Sequence, residues 1–133
     1  MKKIKIACII DDDPIFIRVV QKMMDVVDFC NDVQIYNNGK EAVDILKDMS
    51  ASDSPEIIFL DINMPVMNGW GFLDSFQSLS LPGGTRVYVV SSTIDPSEIE
   101  KARSYPFVTD FVEKPMTVEI LKGILLEEWQ VAK

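Results

Sequence analysis

The chain has 133 residues, 47% of them apolar and 26% charged, which makes it one globular domain with a sizeable core and excludes disorder. A net charge of −8 argues against direct contact with nucleic acid or anionic lipid, since both need clustered Lys and Arg. There is no histidine, hence neither the commonest zinc ligand nor the commonest general base, and the two cysteines, Cys8 and Cys30, lack metal-ligand spacing and read as reduced.

Met1-Lys2-Lys3 precedes an apolar stretch too short for the core of a signal peptide, and no run approaches the ~20 residues of a membrane-spanning helix. A cytoplasmic chain is expected. The first apolar run, Ile6 to Ile10, ends in Asp11-Asp12-Asp13. Asp13-Pro14 then supplies an N-cap and a proline at the first helical position. Phe16, Val19, Val20, Met23 and Val27 are spaced as one face of that helix. Cys30 falls in a loop-like segment. Val33-Gln34-Ile35-Tyr36 reads as a second strand, Asn37-Asn38-Gly39 as a turn, and Ala42, Ile45, Leu46 and Met49 as a second helix.

A polar loop from Ser50 to Pro55 leads to a third strand, Ile57-Ile58-Phe59-Leu60, which ends in Asp61. Met64-Pro65 and Asn68-Gly69 are turn signals, and Phe72, Leu73, Phe76 and Leu79 mark a third helix. Pro82-Gly83-Gly84 breaks the chain ahead of a fourth strand, Val87 to Val90, which ends in Ser91-Ser92. Asp95-Pro96-Ser97-Glu98 reads as a capping box for a fourth helix. Residues 110–113 form a brief fifth strand leading to Lys114-Pro115. Thr117 can cap a last helix carrying Val118, Leu121, Leu125 and Trp129.

Five repeats of strand then helix predict an α/β fold, a parallel sheet covered by helices on both faces. The carboxyl ends of the strands in such a sheet share one edge, where ligands bind. Asp11, Asp12, Asp61, Ser91 and Lys114 would therefore converge on one crevice. Carboxylates suit Mg²⁺, and hydroxyl and ammonium groups suit phosphate oxygens, so the set is consistent with phosphoryl transfer.

From about Lys5 to Leu126 the chain resembles the receiver domain of two-component response regulators. The likeness rests on four segments in order. These are Ile9 to Pro14, Leu60-Asp61-Ile62-Asn63-Met64-Pro65 with Asn68-Gly69, Val90-Ser91-Ser92, and Phe111-Val112-Glu113-Lys114-Pro115. The resemblance implies a flavodoxin-like, doubly wound (βα)5 sheet of strand order 2-1-3-4-5. It also implies that Asp61 is the phosphoacceptor and that Mg²⁺ is held by Asp12, Asp61 and the backbone carbonyl of Asn63, with Asp11 acting largely through water. Ser91 matches the switch hydroxyl, Ser92 a small residue that keeps the site accessible, and Phe111 the aromatic switch position. Lys114 should meet a phosphoryl oxygen and, before phosphorylation, an acidic side chain, and Pro115 matches a proline that follows a cis peptide bond.

By the same resemblance, residues 1–133 form a single receiver with no output domain. The phosphoryl group would come from a histidine kinase or histidine phosphotransfer protein. With no histidine in the chain, a phosphohistidine donor must be another molecule. The signal would pass by protein contact or phosphorelay, to a target reached through the face of helix 4, strand 5 and helix 5. Ser104-Tyr105-Pro106-Phe107 departs from the small-residue turn that family members often carry before the fifth strand, so the partner is less legible than the chemistry. Asp11-Asp12-Asp13 also mimics the Asp-x-Asp signature of haloacid-dehalogenase-like phosphatases. That reading leaves Asp61 to Pro65 without a role and lacks a further acidic cluster after Lys114.

Overall fold

The computed structural model describes residues 4–64, 67–79, 84–92 and 95–132, with the side chains of all of these except residue 51 and residues 129–132. Strands and helices alternate along the chain: β1 (Ile4–Ile10), α1 (Pro14–Val27), β2 (Cys30–Tyr36), α2 (Gly39–Leu46), β3 (Ile57–Asp61), α3 (Gly69–Gln77), β4 (Arg86–Ser91), α4 (Pro96–Arg103), β5 (Val108–Glu113) and α5 (Val118–Ala132). All pairings are parallel and the strand order is β2-β1-β3-β4-β5, as the resemblance implied.

Strand side chains alternate between two layers because successive Cβ atoms point to opposite faces of a sheet. In β3, Ile57 and Phe59 join Ile17, Val20, Leu121 and Ile124 under α1 and α5. Ile58 and Leu60 join Ala42, Leu46, Phe72 and Phe76 under α2 and α3. Phe59 lies between Phe29 and Tyr88, at ring-centroid distances of 6.0 and 5.8 Å. With 1% exposure it contributes about 1.5–3 kcal/mol by burial. Both faces of β3 are covered, which explains its unbroken apolar run.

Caps set where helices begin. The Asp13 carboxylate accepts from the Ile15 N–H at 3.0 Å, Asp95 from the Ser97 N–H at 2.9 Å, and Thr117 Oγ1 from the Ile120 N–H at 3.1 Å. The expected elements need local corrections. Cys30 opens β2 rather than lying in a loop, because Ile4 to Ile10 pairs along the whole of residues 30–36. β5 begins at Val108, two residues early. Val19 and Ile45 are 42% and 45% exposed rather than core, since the buried stripes of α1 and α2 turn on Ile17, Val20 and Met24 and on Ala42 and Leu46. Met49 and Leu79 lie past their helix ends but still pack on the core.

Pro65, Pro82, Gly83 and the Trp129 side chain lie outside the described residues. Among the described residues, no helix is long and apolar enough to cross a membrane.

Candidate functional site

Asp11, which follows β1, and Asp61, which ends β3, reach the same edge of the sheet because the two strands are parallel neighbours in register, Ile10 opposite Leu60. Ser91 ends β4 on that edge, and the Ser91 carbonyl accepts from the Lys114 N–H at 2.8 Å, which ties the residue after β5 to it. The sequence-predicted residues Asp11, Asp12, Asp61, Ser91 and Lys114 thus share one crevice. The loop after Asp61 turns back tightly: the Gly69 N–H donates to the Ile62 carbonyl at 2.8 Å, and a Cβ on Gly69 would come within 2.7 Å of Ile62 Cα. Only glycine permits this approach.

The carboxylates are not equivalent. Asp11 and Asp61 are 1% and 5% exposed, whereas Asp12 is exposed. Asp11 Oδ1 accepts from the Asp13 N–H at 2.9 Å, and Asp61 Oδ1 from the Asn63 N–H at 3.2 Å. Asp11 Oδ2 forms an ion pair with Lys114 Nζ at 3.1 Å. Lys114 Nζ stands 3.8 Å from Asp61 Oδ2. Burial, and then the neighbouring Asp11 charge, push the Asp61 carboxyl up to about 6 from its ordinary 3.8, against the pull of Lys114. Asp11 is raised too, chiefly by burial, with the Asp13 N–H and Lys114 opposing.

One oxygen from each of Asp11, Asp12 and Asp61 lies within 4.8 Å of the other two. Three clustered carboxylates, two of them buried, make a donor set that fits a hard divalent cation. Asp13 stands apart, occupied as the α1 cap.

Sequence reasoning missed one neighbour. Lys114 Nζ lies 4.2 Å from the centre of the Phe16 ring, so a residue expected only on the core face of α1 also supports the ammonium. Its place in the first turn after the acidic cluster was the available signal. The Lys114–Pro115 peptide bond is cis, as expected. Phe111 is half-buried against the α2–α4 layer, and Ser91 is fully buried. Ser92 is exposed.

Residues 7–125 match the model of the response regulator receiver domain. A crystallised two-component response regulator from Cytophaga hutchinsonii is 30% identical, with a TM-score of 0.87 over 97% of this chain and 99% of that one. A protein-glutamate methylesterase/protein-glutamine glutaminase from Clostridium acetobutylicum is 30% identical over 99% of this chain and 37% of its own length. The receiver domain of a sensor histidine kinase from Pseudomonas aeruginosa, crystallised with magnesium in its active-site cleft, shares the fold at 16% identity and a TM-score of 0.76, over 92% of this chain and 95% of that one. The chain spans about a third of the length of the curated relatives it matches. It belongs to the response regulator receiver family.

Proposed function

We propose that this receiver-family chain is a phosphorylation-operated signalling switch that accepts a phosphoryl group on Asp61. The observation that carries the reading is the position of Asp61. It ends the central strand beside Asp11 and Asp12, with the Lys114 ammonium 3.8 Å away.

Chemically, an Asp61 oxygen attacks the phosphorus of a phosphohistidine on a partner kinase or phosphotransfer protein. A P–O bond forms, the P–N bond breaks, and its electron pair returns to the imidazole. Lys114, in contact with Asp11 beforehand, holds a transferred phosphoryl oxygen afterwards. Asp11, Asp12, Asp61 and the Asn63 carbonyl would hold Mg²⁺, which supplies charge neutralisation of the phosphoryl oxygens. The approach of Asp11, Asp12 and Asp61 oxygens to within 4.8 Å of one another favours such a cation. Ser91 at the end of β4 and Phe111 in β5 would carry the new charge, roughly −1.5 to −2 in ordinary phospho-residues, into a conformational change. The chain would also catalyse loss of its own phosphoryl group rather than turn over a separate substrate.

We place the switch in the cytoplasm, as a stand-alone receiver signalling by protein contact or phosphorelay. Incubation with acetyl phosphate and Mg²⁺ tests the chemistry. The wild type should be labelled and Asp61→Asn should not, and undiminished incorporation in that variant would remove the assignment.

A further inference from the structure

The Lys114 ammonium has to stay at the phosphoryl site while the charges that attract it change. The base of the side chain is fixed, because the Lys114 N–H donates to the Ser91 carbonyl at 2.8 Å. Its tip ends a flexible four-carbon stem, and restraining that stem costs rotamer entropy. Two carboxylates draw the ammonium in, Asp11 Oδ2 at 3.1 Å and Asp61 Oδ2 at 3.8 Å. Both are altered when the site works as proposed above. They are groups assigned to the metal, and Asp61 gives an oxygen to phosphorus.

A third neighbour is not altered. The centre of the Phe16 ring lies 4.2 Å from Lys114 Nζ, within the range over which the negative face of an aromatic ring attracts a cation. That face is the same whether the carboxylates are free or engaged. The turn that places Asp11 also places Phe16. The Asp13 N–H donates to Asp11 Oδ1 at 2.9 Å, the Asp13 carboxylate accepts from the Ile15 N–H at 3.0 Å, and the Asp13 carbonyl accepts from the Ile17 N–H at 3.1 Å. Phe16 lies between those two anchored residues and packs on the core layer under α1 and α5. The Lys114 side chain is 19% exposed, so water screens the contact weakly.

We propose that Phe16 is a positioning residue, whose ring holds the Lys114 ammonium at the Asp61 phosphoryl site through the charge changes of the reaction. It acts through Lys114. A leucine would fill much of the same space without the ring's negative face, and the ammonium would be left to carboxylates that the reaction engages. The part played in phosphoryl transfer rests on the function proposed above, whereas the hold on Lys114 does not.

The test uses the full chain with Phe16→Leu, with Phe16→Tyr, and with fluorinated phenylalanines at position 16, which keep the ring's shape while making its face less negative step by step. The first readout is the NMR signal of the Lys114 ε-methylene in metal-free protein. The ring should shift those protons upfield in the wild type and in Phe16→Tyr, and Phe16→Leu should return them toward ordinary lysine values. The second readout is the rate at which acetyl phosphate labels Asp61 at saturating Mg²⁺. We expect labelling about three- to tenfold slower in Phe16→Leu, a graded fall along the fluorine series, and a rate close to wild type in Phe16→Tyr. An unshifted Lys114 ε-methylene in the wild type, or labelling of Phe16→Leu as fast as wild type, would overturn the proposal. So would a rate indifferent to fluorination, since it would reduce the ring to packing. If the wild type takes no phosphoryl group at all, the function proposed above fails, and the Lys114 shift alone decides whether the ring holds the ammonium.

Discussion

Replacing Asp61 with asparagine removes one negative charge from a crevice where it is 5% exposed and faces the Asp11 carboxylate. The folded protein holds the Asp61 carboxyl up at about 6, against an ordinary 3.8, a difference of about 2 pKa units. At about 1.4 kcal/mol per unit, the ionised side chain costs the metal-free fold about 3 kcal/mol at neutral pH. Asparagine keeps an oxygen able to accept the Asn63 N–H, so Asp61→Asn should recover most of that. The sign with pH follows from the raised value. Between 3.8 and about 6 the folded state holds a proton that the unfolded chain has released, so wild-type stability from this group rises as pH falls through that window. Below 3.8 the carboxyl is protonated in both states and the variant's advantage disappears. Urea denaturation in EDTA across this range is the assay. An equal or less stable variant at neutral pH, or an advantage that grows as pH falls, would refute the reasoning. Adding Mg²⁺ should stabilise the wild type more than the variant, because a cation that binds only the folded state stabilises by mass action.

Asp12→Ala should weaken Mg²⁺ binding more than Asp13→Ala, whose loss of the 3.0 Å cap to Ile15 should instead cost about 1 kcal/mol of stability, and a metal titration giving the reverse order would reassign the cluster. Ser91→Ala should still accept a phosphoryl group at Asp61 yet respond incompletely to beryllofluoride. Lys114→Ala should respond less still, read as amide shifts at Asp95 and Phe111. Wild-type-sized shifts in both variants would break the proposed coupling. Glu128, 2% exposed, pairs with Arg86 and accepts from Tyr88 Oη at 3.0 Å, so Glu128→Ala should destabilise by about 3 kcal/mol, measured by thermal or urea unfolding. A loss under 1 kcal/mol would show that this buried network contributes little.

The strand ends were legible because each couples an apolar run to a reactive residue: Ile10 to Asp11, Leu60 to Asp61, Val90 to Ser91. Parallel topology then brings those residues to one edge whatever the details of packing. The start of β2 was hidden because it lies at the edge of the sheet, where Asn31 and Asp32 are exposed and carry no apolar alternation. The Arg86–Tyr88–Glu128 network was illegible for another reason. Its members are about 40 residues apart, and they meet only once α5 has docked beside β4. The one local hint was an acidic residue three positions after Leu125, on the apolar stripe of α5. Tyr105 likewise read as a departure from the family turn. In the fold it is 8% exposed and donates its hydroxyl to Asp74 of α3, while Lys101 of α4 lies 4.4 Å from the centre of the Trp70 ring. That segment fastens α4 to α3, a long-range contact that no local pattern encodes.

Direct mapping of the phosphorylated residue bears most closely on the central claim. The protein would be incubated with acetyl phosphate and Mg²⁺, the acyl phosphate reduced with borohydride, and the modified peptide sequenced by mass spectrometry. We expect a single modified residue, Asp61, with labelling abolished by EDTA. Modification at Asp11 or Asp12, or labelling at Asp61 that persists without a divalent cation, would contradict the site as built here.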